Sequence, residues 1–127
     1  MTFALVFPGQ GSQSVGMVTG FADDAAVRAT FEEAGEVLGC DMWQVAQEGP
    51  EAEQNLTLNT QPLMLTAGVA VYRAWVRAGG RVPSVLAGHS LGEYSAWVAS
   101  GAHAFRDALP LVRLLAQGMQ DAVPVAT

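Results

Sequence analysis

Ser90 stands in the run Gly88-His89-Ser90-Leu91-Gly92, between a short apolar segment and one of helical character. Gly-x-Ser-x-Gly at such a junction is the pattern of a nucleophile elbow. A strand that turns directly into a helix brings together the residues two before and two after the serine, and glycine leaves room there. The hydroxyl is then displayed at the carboxyl end of a strand and at the positive end of a helix. Free amides and the helix dipole at that point would stabilise a developing oxyanion. The same residues also fit a capping box, with Ser90 as N-cap and Glu93 three residues later. A second stretch, Pro8-Gly9-Gln10-Gly11-Ser12-Gln13, follows the first apolar run directly, where open α/β sheets place their ligand sites. Its glycines are wrongly spaced for a phosphate-binding loop and it has no lysine. What remains is a loop that exposes backbone amides near Gln10 and Gly11, the way a second oxyanion donor would be built.

The elements that must position these two stretches can be read from periodicity. Phe3 to Phe7 is an uninterrupted apolar run closed by Pro8-Gly9, which predicts a strand buried on both faces. Asp23 is placed to cap a helix to about Leu38, with Val27, Phe31, Ala34, Val37 and Leu38 on its core face and Gly39 as its stop. Two short helical turns follow, Asp41 to Gln47 and Pro50 to Asn55, with Glu48, Glu51 and Glu53 as a solvated edge. Asn59 or Thr60 caps a long helix with Pro62 in its first turn, ending at Gly79-Gly80; it is apolar almost all round and so expected between layers. Val82 to Gly88 reads as the next strand, and the elbow leads into a helix that stops at Gly101. A last helix begins near Phe105, or nearer Leu109 if Pro110 is to be avoided, and runs through Val112 and Met119. Val125-Ala126-Thr127 reads as part of a connection. Strand, helices, strand and helix in succession imply an α/β fold with a parallel sheet and right-handed crossover.

Composition narrows the function classes. The chain has 127 residues, enough for one domain with a real core; half are apolar and 14% charged, which argues against disorder. Six basic against twelve acidic residues give a net charge of −6. There is no lysine, and the arginines (Arg28, Arg73, Arg77, Arg81, Arg106, Arg113) are scattered. Neither a nucleic-acid footprint nor a polybasic membrane patch is expected. The single Cys40 excludes an internal disulfide and fits a reducing cytoplasm; it is expected to be a small buried hydrophobe. Met1 to Phe7 lacks the basic start of a signal peptide, and Pro62 to Val76 is too short and polar to span a bilayer. A soluble cytoplasmic protein is expected.

With both motifs in view, Phe7-Pro8-Gly9-Gln10-Gly11-Ser12-Gln13 and Gly88-His89-Ser90-Leu91-Gly92-Glu93-Tyr94-Ser95-Ala96, the chain closely resembles the malonyl-CoA:acyl-carrier-protein transacylases. Agreement continues in Asn59-Thr60-Gln61-Pro62 and in Met119-Gln120-Asp121-Ala122-Val123-Pro124, so the resemblance covers residues 1–127 as a partial catalytic domain. It implies an α/β-hydrolase-like acyltransferase core, here incomplete, without the family's ferredoxin-like subdomain. By the resemblance, Ser90 is the nucleophile, the backbone amides of Gln10 and Leu91 form the oxyanion hole, Gln61 lies near the acyl group, and His89 flanks the nucleophile on the substrate side. His89 is not the implied base, since neighbours in a strained turn project in different directions. The implied substrate is malonyl-CoA, the implied partner acyl carrier protein, with no metal and no bound cofactor.

Two departures from the family pattern qualify that picture. The family's catalytic histidine lies beyond position 127, and His103, the only other histidine here, is expected in a solvated turn away from Ser90. Leu115 stands where the family has an arginine that pairs with the malonyl carboxylate, and Ala116 where glycine is usual. Leucine cannot make a bidentate ion pair, which costs acyl binding several kcal/mol. Arg113 lies about 200° round the helix and does not substitute. Two alternatives stand beside acyl transfer: a serine esterase or thioesterase sharing the elbow, and an inactive piece that only binds a carrier protein or a complementary chain.

Overall fold

A computed structural model describes residues 2–122; Val125-Ala126-Thr127 and the end of the last matched stretch, Val123-Pro124, lie outside the described residues. The elements are β1 (Ala4–Phe7), α1 (Ala25–Leu38), α2 (Met42–Gln47), α3 (Glu51–Gln54), α4 (Thr57–Arg77), β2 (Val85–Gly88), α5 (Gly92–Ala99) and α6 (Phe105–Ala122). A one-turn 3-10 helix, Thr19–Phe21, precedes α1. β1 and β2 pair in parallel, Ala4 opposite Val85 through Phe7 opposite Gly88. Backbone bonds from Ser84 to Phe3 (2.8 Å) and from His89 to Phe7 (3.1 Å) extend the ladder at both ends. The α/β class and the parallel sheet with flanking helices are as the sequence implied.

α4 is the centre of the molecule. It packs against α1, α5 and α6, and its residues 60–67 are buried without a break. Leu63, Leu65, Val69 and Ala70 share one core with Val27, Phe31 and Ala34 of α1, Leu109 and Val112 of α6, and Leu91 of the elbow. Burial of this many aliphatic side chains, each worth about 1.5–3 kcal/mol, is what fixes α4 in place. Gly39 ends α1 in the left-handed region, φ 71°, as expected of a glycine stop.

Several boundaries differ from the sequence reading. Asp24, not Asp23, caps α1: its extended backbone lets the carboxylate accept from the Ala26 and Val27 amides at 2.9 and 3.1 Å. α4 begins at Thr57, ahead of the expected caps. Asn59 and Thr60 instead turn their side chains onto the carbonyls of Glu53 and Gln54, tying the end of α3 to the start of α4. Pro62 therefore sits inside α4. α6 starts at Phe105 and passes through Pro110, whose ring lies on the exposed side, where the carbonyl it leaves unbonded can be hydrated.

β1 is not buried on both faces. Exposure alternates along it, and Val6 is 69% exposed while Phe7 is buried; among the described residues the sheet has two strands, and helices cover only the side carrying Phe7. β2 is shorter than expected, because Val82 is 87% exposed and outside the ladder. Cys40 is exposed rather than a core residue, just past the end of α1. Its thiol is nonetheless partly shielded, which raises its pKa above the ordinary value, with the Arg113 charge pulling the other way and Asp41 reinforcing the rise. No helix among the described residues is long and apolar enough to cross a membrane.

Ser95 of α5 is 1% exposed and its hydroxyl has no partner among the described residues; it faces Gly68 of α4. A buried hydroxyl without a partner is a net cost. Ser95→Ala is accordingly expected to leave stability unchanged or raise it by up to about 1 kcal/mol in urea denaturation. A loss of that size would show that the hydroxyl is satisfied in solution.

Candidate active site

The elbow is built by close approach of backbone. A Cβ added to Gly88 would lie 1.9 Å from the carbonyl carbon of Gly92, and one on Gly92 would lie 2.0 Å from the carbonyl oxygen of Phe7 in β1. No side chain fits at either position. Between them Ser90 adopts φ 55°, the only non-glycine among the described residues in the left-handed region. Such a conformation costs about 1 kcal/mol or more and persists only where the surroundings impose it. Here they do, through His89, whose N–H donates to Phe7 and whose carbonyl accepts from Gly92 at 2.9 Å.

The capping-box reading of Ser90 does not hold. The residue at the N-cap position of α5 is Leu91, and no side-chain cap bond is made. A serine with φ 55° does not have the extended backbone of an N-cap. Its hydroxyl is left exposed at the carboxyl end of β2, directly before α5.

The second stretch comes to the same place. Gly9 is buried, and a Cβ on it would sit 2.7 Å from the His89 carbonyl oxygen and 3.6 Å from Ser90 Cβ. The loop therefore passes across the elbow with Gln10 one peptide further on. Among the described residues neither the Gln10 nor the Leu91 backbone N–H donates to another backbone group. The Leu91 side chain is 2% exposed and anchors the turn in the core.

Gln61 is 2% exposed on α4, and its side-chain amide donates to Gln10 Oε1 at 2.7 Å. Gln10 in turn donates to Thr57 Oγ1 at 3.2 Å. So α4 carries the support of the loop, and Thr57 joins the site although nothing in the sequence singled it out. His89 is exposed beside Ser90. His103 follows the other end of α5, and an eight-residue helix of about 12 Å separates it from the elbow. It is not the solvated histidine expected: it is half-buried, and its Nε2 is enclosed without a partner among the described residues.

On α6, Leu115 is 39% exposed while Ala116 is fully buried. Arg113 is engaged elsewhere, donating to the Leu38 carbonyl at the end of α1 at 2.8 Å, so it does not take the place of an arginine at 115. A hollow of about 670 Å³ is lined by residues that include Arg28, Phe31, Cys40 and Trp43, and none of the elbow residues lines it. Ser90, His89 and Gln10 are open to solvent instead. The arrangement can present the exposed Ser90 hydroxyl to a carbonyl carbon and leaves the backbone N–H groups of Gln10 and Leu91 without a backbone acceptor among the described residues, free to bond a carbonyl oxygen.

Comparison with known proteins agrees with this fold. The profile of the acyl transferase domain matches residues 4–126. The malonyl CoA-acyl carrier protein transacylase of Escherichia coli K12 is 54% identical over 98% of this chain, and that of Bacillus subtilis 168 is 43% identical over 95%. The chain spans 41% and 38% of their lengths. Among solved structures, the acyl-carrier-protein S-malonyltransferase of Burkholderia pseudomallei 1710b superposes with a TM-score of 0.95 at 65% identity, over 98% of this chain and 40% of that one. A malonyl-transacylase solved in complex with its type II PKS acyl-carrier protein superposes at 0.94 with 51% identity, again over 98% and 40%. An elbow serine, a loop crossing it and a family match over almost the whole sequence lead to one assignment: the chain, which spans about two fifths of the length of the malonyl CoA-acyl carrier protein transacylases it matches, belongs to the acyl transferase domain family.

Proposed function

We propose that the chain carries the nucleophile-bearing part of an acyltransferase of the malonyl transacylase type, moving an acyl group from coenzyme A to the phosphopantetheine thiol of acyl carrier protein. The observation that carries this reading is Ser90 at φ 55°, held between Gly88 and Gly92 beneath the Gly9–Gln10 loop. In the first half-reaction Ser90 Oγ attacks the thioester carbonyl. The new C–O bond forms, the C–S bond breaks, coenzyme A leaves as its thiol, and the serine proton passes through a general base. The Gln10 and Leu91 amides receive the oxyanion of the tetrahedral intermediate. In the second half the carrier thiol attacks the ester, a C–S bond forms, the C–O bond breaks and the proton returns to Ser90. Gln61 and His89 flank the acyl and thioester ends.

The base is not evident in the described residues, since His103 is a helix length away and His89 shares the turn with Ser90. By resemblance it is a histidine of the carboxyl-terminal part of the family's fold, and we expect a polypeptide supplying that part to accelerate acylation. Leu115 favours neutral acyl groups over malonyl, because nothing at that position can pair a carboxylate.

Incubating the chain with malonyl-CoA and with acetyl-CoA and weighing it intact tests the reading. The expected result is an acyl mass on the chain that Ser90→Ala abolishes, with acetyl preferred roughly tenfold over malonyl. Adding carrier protein should transfer the acyl group to its thiol. Release to water alone would make the chain a hydrolase, and no adduct in any arm would leave it a binding piece.

A further inference from the structure

We propose that Gln13 and Asn55 form a positioning pair that fixes the Gln10–Gly11 peptide and so limits how the Gln10 backbone can turn where the loop crosses the elbow of Ser90. The proposal rests on the reading that the Gln10 amide receives the oxyanion. Gln13 is used at both ends of its side chain: Oε1 accepts from the Gly11 N–H at 2.7 Å, and Nε2 donates to Asn55 Oδ1 at 2.9 Å. Asn55 is itself fixed at the end of α3, its backbone N–H donating to the Glu51 carbonyl at 2.9 Å. A chain of bonds thus runs from a helix end, through one side chain, to a single loop amide.

Gly11 is the part of the loop most in need of such a hold. It has φ 113° and open space around its Cα, so neither sterics nor packing restricts rotation of its peptide groups. On the other side Gly9 is pressed against the His89 carbonyl. The Gln10 side chain is tied to Thr57 and Gln61 of α4, but those bonds hold the side chain and leave the Gln10 peptide plane free to turn. Occupying the Gly11 N–H fixes the plane that follows Gln10 and keeps that amide out of competition for an incoming oxyanion. Neither Gln13 nor Asn55 hydrogen-bonds Ser90, and they act through the loop amide, so they are positioning residues. The bond between them spans 42 residues of sequence and belongs to an exposed surface where it contributes little to global stability.

The test uses the whole chain, a small alkyl fluorophosphonate as probe and amide hydrogen exchange. In labelling, Ser90 Oγ bonds to phosphorus, fluoride leaves with the P–F electron pair, and the serine proton goes to buffer. Asn55→Ala is expected to lower the limiting labelling rate roughly tenfold with the half-saturating probe concentration unchanged. Its melting temperature should stay within about 3 °C of the parent. Exchange of the peptide covering residues 8–13 should accelerate about tenfold. Asn55→Asp keeps an oxygen for Gln13 Nε2 and should restore labelling to within a factor of about three. Unchanged exchange in Asn55→Ala overturns the pair, and so does faster exchange with unchanged labelling. If the parent chain is not labelled at Ser90, the acyl-transfer reading fails, and the exchange contrast still decides whether Asn55 holds the loop.

Discussion

Gly88→Ala is expected to destabilise the chain by about 3 kcal/mol or more, or to prevent folding altogether, as measured by urea denaturation followed by circular dichroism. The methyl group would lie 1.9–2.3 Å from the carbonyl carbon, the carbonyl oxygen and the next amide nitrogen at Gly92. These are backbone atoms, so no rotamer change can relieve the contact, and the first turn of α5 would have to move away from the end of β2. That movement would break the bonds that His89 makes to Phe7 and Gly92 and disturb Leu91, which is buried in the core. Gly118→Ala is the matched comparison. Gly118 lies in α6 with nothing near its Cα, and alanine there should raise stability by about 0.5–1 kcal/mol through helix propensity. Equal effects at the two positions would mean that the elbow is not tightly closed.

Ser90→Ala is expected to abolish acylation, lowering adduct formation from either thioester by roughly a thousandfold or more in intact-mass measurements. Alanine removes the only atom that can form the ester and leaves the elbow backbone as it is, so the melt should be nearly unchanged. Ser90→Gly separates chemistry from strain. It too removes the nucleophile, but glycine adopts φ 55° freely, so this variant should be more stable than the parent by up to about 1 kcal/mol. A serine kept at a backbone conformation that suits glycine better is the mark of a position held for its hydroxyl. Persistence of the adduct in Ser90→Ala would place acylation on another residue and overturn the proposed function.

The elbow and the helices were legible in the sequence for different reasons. Gly88 is forced by contacts within five residues, whereas Gly92 is forced by the Phe7 and Pro8 backbone of β1 and its loop, and it was readable only through the spacing of the motif; α1, α4 and α6 repeat apolar side chains at a helical period strong enough to survive errors at their ends. The errors lie where local rules compete. Asp23 and Asp24 are equally good caps until the backbone decides which is extended. Asn59 and Thr60 look like the start of a helix because they bind carbonyls, yet the carbonyls they bind belong to the element before. The apolar run of β1 matches a doubly buried strand, but exposure depends on which layers pack on it, and here only one does.

The sequence by itself determined the strand, turn and helix around Ser90 and the glycine-rich loop after β1, because the Gly88 demand lies within five residues and the apolar runs and glycines that flank both stretches are local. Only the tertiary structure decided that the loop crosses the elbow at Gly9, that Gln61 and Thr57 hold Gln10, and that Gln13 reaches Asn55. Each of those bonds joins residues more than 40 positions apart. Their meeting follows from the burial of α4 among α1, α5 and α6, a packing that no local pattern in the chain encodes.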